Sequence, residues 1–240
     1  MESKVFNIDC MVGMAEYPDK YFDLAIVDPP YGLGDKLTSG GTWSVKWQDK
    51  GADWDKIPDD KYFKELFRVS KNWIIWGGNY FVQFLPNCRN FIAWHKPYMD
   101  GMHSMSNVEL ALTSFDKNAK FISINKDKGT DERIHVTQKP VKLYKWILDN
   151  YAVCKHCKNE GGFYEDVVGD GGSRMYIECE SCDVSELGNQ KILDTHLGSG
   201  SSRIACYERG FDFTGFELDK DYFEAAEKRY QNHIKQLKMF

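Results

Sequence analysis

The stretch Lys191-Ile192-Leu193-Asp194-Thr195-His196-Leu197-Gly198-Ser199-Gly200-Ser201 decides the fold. An apolar run ends in an acid, turns through Gly-Ser-Gly and opens a helix over Ser201 to Arg209. Glycines at such a turn let the backbone meet a ligand with no side chain between. Phe213 to Glu217 follows as a strand and Tyr222 to Leu237 as a long charged helix. Upstream, Val5 to Ile8, Phe22 to Val27, Asn72 to Trp76 and Asn90 to Trp94 read as strands, and Lys61 to Val69 as a helix. Val141 to Tyr151 carries Leu143, Trp146, Ile147 and Tyr151 at helical spacing. Val108 to Ser114 and Phe121 to Ile124 are expected to pair as antiparallel edge strands. Strand and helix alternating over short links predict an α/β fold: a Rossmann-like, mostly parallel sheet with helices on both faces.

At 240 residues the chain is long enough for one sizeable domain with a small insert. Its 42% hydrophobic and 28% charged residues are ordinary for a soluble globular protein. No stretch approaches the roughly 20 apolar residues of a membrane helix. Met-Glu-Ser-Lys leads straight into a strand-like run, so a cytoplasmic location without membrane contact is expected. The net charge of −5 argues against nonspecific coating of nucleic acid. It leaves room for a basic groove, because phosphate contacts depend on local charge.

Asp28-Pro29-Pro30-Tyr31 follows the apolar run Leu24-Ala25-Ile26-Val27 directly. The acid and the first proline's carbonyl can accept the hydrogens of an amino group on a flat ring. The prolines fix φ and hold that carbonyl in place, while the tyrosine can stack on the ring face. The blander role for Asp28 is a strand-end cap. Glu217 ends its strand seventeen residues beyond Gly200, where ribose hydroxyls sit in a Rossmann-type layout. Gly-Ser-Gly in place of Gly-x-Gly-x-x-Gly fits a nucleoside without pyrophosphate better than a dinucleotide.

Asp28-Pro29-Pro30-Tyr31 early and Asp194-x-His-x-Gly-Ser-Gly late together resemble the S-adenosylmethionine-dependent DNA amino-methyltransferases. The order, catalytic half before cofactor half, resembles their circularly permuted β group. Asn7-Ile8-Asp9-Cys10 looks like the family's opening strand, and Trp76-Gly77-Gly78-Asn79-Tyr80-Phe81 and Trp94-His95-Lys96 like its mid-sheet motifs. His135-x-Thr137-Gln138-Lys139-Pro140 resembles the segment that helps hold the cofactor's methionine moiety, and Phe216-Glu217-Leu218-Asp219 the ribose strand. The resemblance implies that Asp28, Pro29, Pro30 and Tyr31 are catalytic. It implies that Asp9, Cys10, Asp28, Gln138, Lys139, Pro140, Asp194, His196, Gly198, Ser199, Gly200, Ser201 and Glu217 hold S-adenosylmethionine. The reaction implied is methylation of adenine N6 in double-stranded DNA, with the target base flipped out and Tyr31 as its stacking platform.

There are departures. His95 stands where relatives commonly carry an acid, and only about forty residues separate Lys96 from Gln138, where the family usually has a sizeable target-recognition region. Recognition must then be short, be shared with the loop at 32–58, or come from a second subunit, and the last of these would make the protein a homodimer. In that loop Trp43, Trp47 and Trp54 can cover a flipped base or pack the loop down. Lys36, Lys46, Lys50, Lys117, Lys120, Lys126 and Lys128 are phosphate-contact candidates interleaved with acids. Cytosine N4 is the alternative substrate, although relatives with that activity more often carry Ser at the position of Asp28. An RNA base or a protein glutamine fits less well, since those relatives often carry Asn there. A rival of another class is a zinc-dependent nucleic-acid-binding protein that has lost catalysis.

Cys154-x-x-Cys157 and Cys179-x-x-Cys182, with 21 residues between them, have zinc-ribbon spacing. Gly161-Gly162 and Gly169 to Gly172 supply the turns of a hairpin carrying two knuckles, and one structural zinc is expected on the four thiolates. The division is a methyltransferase domain over 1–152 and 189–240 with a zinc-ribbon-like insert over 153–188. The insert joins the helix ending at 151 to the start of the strand ending at Asp194, which places it on the rim away from the ligand end of the sheet.

Overall fold

A computed structural model describes residues 1–32, 55–97, 100, 106–125, 134–135, 137–152, 162–166, 174–178 and 190–237. The strands are β1 (Ser3–Phe6), β2 (Phe22–Val27), β3 (Ser70–Trp76), β4 (Phe91–His95), β5 (Val108–Thr113), β6 (Lys120–Ser123), β7 (Gly162–Asp166), β8 (Arg174–Glu178), β9 (Lys191–Asp194) and β10 (Asp212–Phe216). The helices are α1 (Cys10–Ala15), α2 (Asp60–Val69), α3 (Val141–Ile147), α4 (Ser201–Arg209) and α5 (Lys220–Leu237). Eight strands form one sheet in the order β1-β10-β9-β2-β3-β5-β4-β6, and β7 and β8 form a two-stranded sheet of their own. Among the described strands of the large sheet, β5 alone runs against the rest.

The central strands are apolar on both faces, as a parallel sheet covered by helices requires. Leu24, Ile26, Ile74, Trp76 and Ile192 enter one core with Leu143, Tyr144 and Ile147 of α3 and Ile204 of α4. Their chain neighbours Ala25, Val27, Trp73, Ile75 and Leu193 enter the other, with Tyr62, Phe63, Leu66 and Val69 of α2. The period of two is thus visible on both faces at once. Helix α2 starts where the Asp59 side chain accepts from the Tyr62 N–H at 3.2 Å. Helix α4 stops at Gly210, whose φ of +78° suits a left-handed cap.

Two expectations change. β5 does not pair with β6 at an edge; it lies between β3 and β4, antiparallel to both. β6 crosses to the far side of β4 and pairs with it in parallel. The burial explains the exchange: Ala111 and Thr113 are fully inside, whereas Phe121 on β6 is 68% exposed. The helix expected over Val141 to Tyr151 is α-helical to Ile147 and continues as a π-helical turn over Leu148–Ala152. The loop residues 33–54 and the four zinc-ribbon cysteines lie outside the described residues. Among the described residues no helix is long and apolar enough to cross a membrane.

Ile74 is fully buried in the middle of the sheet. Ile74→Ala should cost about 2–5 kcal/mol, read as a lower urea midpoint with the same slope.

Candidate functional site

Register brings the two remote motifs together. β2 and β9 pair in parallel with Leu24 opposite Ile192 and Ala25 opposite Leu193. The chain leaving β2 as Asp28-Pro29-Pro30-Tyr31 therefore emerges beside the chain leaving β9 as Asp194 to Ser201. Phe6, Asp194 and Phe216 end β1, β9 and β10 on the same rim, so Asp9, the Gly-Ser-Gly turn and Glu217 collect there too. This is the carboxyl end of a parallel sheet, where ligands bind in open α/β folds.

The turn is built by its own hydrogen bonds. Gly198 and Gly200 sit at φ of +52° and +70°, a region that strains any other residue. The Gly198 N–H donates to Glu217 Oε2 at 2.8 Å, and the Asp219 N–H to Oε1 at 3.0 Å. Burial pushes the Glu217 carboxyl above its ordinary value, and these donors offset only part of that. Asp194 is buried and accepts from Ser202 Oγ at 2.5 Å and from the His196 N–H at 3.1 Å. Burial, opposed by the Ser202 hydroxyl and the His196 N–H, moves it up to about 7. The Ser199 and Ser201 hydroxyls meet at 3.1 Å, and Arg229 donates to the Ser199 carbonyl at 2.7 Å.

His196 belongs to a network that the sequence did not announce. Its Nδ1 lies 2.9 Å from Thr195 Oγ1, which lies 2.7 Å from the Tyr62 hydroxyl of α2. Burial lowers the His196 imidazole to about 4, so it is neutral at pH 7. Asp9 caps α1, accepting from the Met11 N–H at 2.7 Å. Burial, with Asp9 adding to it, raises the Cys10 thiol to about 12.

Around Asp28 the arrangement is tighter than a bare motif implies. The Tyr31 hydroxyl donates to Asp28 Oδ1 at 2.5 Å, and its ring stacks on Tyr80 with centroids 5.0 Å apart. That ring lies over Gly77, where a Cβ would sit 2.2 Å from it; the φ of +64° also favours glycine. Burial first and Asp28 second push the Tyr31 phenol well above its ordinary value, so it stays a donor. Lys139 Nζ bonds Asp28 Oδ2 and lies 3.4 Å from Glu109 Oε2, while Lys96 Nζ bonds Glu109 Oε1 at 2.8 Å. Trp76 lies beneath Lys139 and Trp94 beneath Lys96, with ring centroids 5.2 and 5.8 Å from the ammonium groups.

Of the segment before α3, Gln138 turns inward to accept the Ile134 N–H at 3.1 Å, and Pro140 occupies the start of the helix. His95 reaches outward to Asp100 at 2.9 Å and Ser123 at 3.1 Å. Two phosphate-contact candidates, Lys117 and Lys120, are turned onto Asn150 in the middle of the π-helical turn. Glu109 and Tyr62 join the candidate site without having been singled out in the sequence, where Lys96 stood only as the end of a mid-sheet motif. For Glu109 there was a signal, a single acid within the otherwise apolar strand Val-Glu-Leu-Ala-Leu-Thr.

No protein-family model matches the chain. It is 24% identical over 248 residues to the type II methyltransferase M.HinfI of Haemophilus influenzae, covering 92% of this chain and 66% of that relative, just under two thirds of its length. Its structure superposes on that of the M1.HpyAVI–SAM complex with a TM-score of 0.53 at 18% identity, covering 95% and 98% of the two chains. PvuII DNA methyltransferase, cytosine-N4-specific, aligns with a TM-score of 0.56 at 9% identity, over 98% and 91%. The fold is that of the S-adenosylmethionine-dependent methyltransferases.

The two perturbed groups of the turn oppose each other in pH dependence. Asp194, raised to about 7, stabilises fully below its unfolded value of about 3.9 and loses that contribution as pH rises through 7. His196, lowered to about 4, contributes above its unfolded value of about 6.5 and loses it as pH falls through 4. Between pH 4 and 6.5 the slopes offset. Asp194→Asn should leave stability rising with pH in that window, and His196→Asn should leave it falling, each by up to about 1.4 kcal/mol per pH unit. Urea titrations at pH 4.5, 5.5 and 6.5 read both.

Proposed function

We propose that this protein methylates an exocyclic amine of a DNA base, adenine N6, extruded from the duplex, and that its motif order places it in the permuted β group. The observation that carries the reading is the adjacency of Asp28-Pro29-Pro30-Tyr31 to the Gly-Ser-Gly turn across the β2–β9 pair. When bound, S-adenosylmethionine supplies an electrophilic methyl group on a sulfonium. The residues at the rim suit that group: Asp9, Glu217 and the glycine backbone offer acceptors and donors for a nucleoside, and a neutral His196 adds no positive charge against a cationic ligand.

The chain's own part is to activate and place the amine. An adenine amino nitrogen is a poor nucleophile because its lone pair is delocalised into the ring. Asp28 and the Pro29 carbonyl accept its two hydrogens, draw the nitrogen toward tetrahedral geometry and localise that lone pair. Alignment of this kind is worth several kcal/mol. The Tyr31 ring offers a stacking surface to the extruded base. Cytosine N4 is the second reading, because the same two acceptors serve either amine, and a cytosine-N4-specific enzyme shares the fold.

The insert over 153–188 we assign to one structural zinc on Cys154, Cys157, Cys179 and Cys182, which lie outside the described residues. In support, β7 and β8 form an antiparallel hairpin with Gly162 opposite Glu178, and the two Cys-x-x-Cys pairs flank its open end in sequence. Four thiolates make a closed tetrahedral site without a catalytic position. The segment enters the sheet at the amino end of β9, opposite the candidate site.

Incubation with unmethylated duplex DNA and S-adenosylmethionine should yield N6-methyladenine on nucleoside mass spectrometry, and Asp28→Ala should abolish it. N4-methylcytosine would instead establish the second reading. Glu217→Ala, which removes a charged acceptor from the turn, should weaken cofactor binding about 10–100-fold by calorimetry. Atomic emission should find one zinc per chain, lost in Cys157→Ser.

A further inference from the structure

Lys139 falls in the segment whose resemblance assigns it to the cofactor, yet its ammonium group is on Asp28, 111 positions away in sequence. Its side chain is 3% exposed, and that of Lys96 is 10% exposed. An unbroken chain of contacts runs from the Tyr31 hydroxyl through Asp28, Lys139 and Glu109 to Lys96. Two cations and two carboxylates sum to zero, so the group can be buried without an uncompensated charge. Burial pushes the Glu109 carboxyl up, but Lys139 and Lys96 outweigh it and leave the group below its ordinary value. Glu109 thus stays an anion that anchors Lys139.

We propose that Lys139 is the positioning residue of Asp28: it holds Oδ2 and leaves Oδ1 as the one carboxylate oxygen that accepts a hydrogen from the target amine. The proposal rests on the methyl-transfer reading. The terminal torsion of an aspartate is broad and roughly two-fold, so an unheld carboxylate presents either oxygen at many angles. An ammonium grips one oxygen as a point charge, whereas a guanidinium fork would take both. Glu109 and Lys96 fix where that ammonium stands: Glu109 lies on β5 opposite Trp94 of β4, and Lys96 directly follows β4, its N–H donating to the Asn107 carbonyl at 2.7 Å. Oδ1 is where the Tyr31 hydroxyl now sits, so the amine reaches it by displacing that hydroxyl.

The test uses the full chain, plasmid DNA and saturating S-adenosylmethionine carrying a labelled methyl group, with cofactor affinity measured separately by calorimetry. Lys139→Met should lower kcat about 100-fold, the scale of a small misplacement of a reacting group. Its cofactor Kd should stay within about twofold. In an Asp28→Asn background the same substitution should add no more than about twofold, because it acts through the carboxylate. Glu109→Gln, which loosens Lys139 while keeping the shape, should lower kcat about tenfold at unchanged cofactor affinity. If Lys139→Met does not fold, Glu109→Gln decides, and an unchanged kcat there overturns the proposal. So does a Lys139→Met protein with weakened cofactor binding and normal kcat at saturation, which would make Lys139 a cofactor ligand. Full additivity with Asp28→Asn overturns it as well. A wild-type protein that transfers no methyl group to DNA sinks the underlying reading and this proposal with it.

Discussion

The parallel pairing of β2 with β9 is the constraint on which the site depends. A parallel pair cannot be closed by a hairpin, so each strand is reached by a crossover and both point the same way. Strands so aligned deliver their exits to one rim, here the exits at Asp28 and Asp194. Register does the rest. Leu24 and Ile26 face one core and Ala25 and Val27 the other, so a slip of one residue would exchange the faces of β2. The same apolar packing that stabilises the sheet therefore sets the spacing between an acid at residue 28 and a glycine turn at residue 198.

That rim gathers acids, and each is accommodated differently. Glu217 remains a carboxylate acceptor for two backbone N–H groups and thereby ties the end of β10 to the glycine turn. Asp194, more deeply buried, leans on a hydroxyl and one N–H and titrates near neutrality. Asp28 has a lysine. A paired ammonium compensates the charge of a half-buried carboxylate, which a hydroxyl cannot do. The acids thereby take different roles. Glu217 and Asp194 shape the turn, while Asp28 is paired with Lys139 and the Tyr31 hydroxyl at the rim.

Much of this is legible in the sequence where a strand is buried on both faces. β2 and β9 can be read residue for residue, because an unbroken apolar run ends abruptly in an acid and a special turn. The α4 boundaries are equally clear, with glycines at both ends. Sequence alone pairs β5 with β6 because they are neighbours in the chain. The structure puts β4 between them, a choice made by long-range burial of Ala111 and Thr113, to which local pattern is blind. Glu109, Lys96 and Lys139 are invisible as a group for the same reason. Lys139 reads as part of a cofactor segment, Lys96 as the end of a mid-sheet motif and Glu109 as a lone acid on an apolar strand, and only the tertiary structure joins the three at Asp28. The pairing of Tyr62 with Thr195 likewise joins residues 133 positions apart.

The acceptors that a substrate would use already have internal donors: Tyr31 on Asp28, Gly198 and Asp219 on Glu217, Met11 on Asp9. A ligand entering here exchanges hydrogen bonds, and an exchange contributes little net affinity compared with burying an unmet group. Selectivity must then come from which donors can replace the internal ones without leaving a carboxylate unpaired. In the proposed reading the donor that replaces Tyr31 at Asp28 is a neutral N–H within reach of Oδ1, because Lys139 already holds Oδ2. An exocyclic amine on a flat ring meets that condition, and a second cation does not.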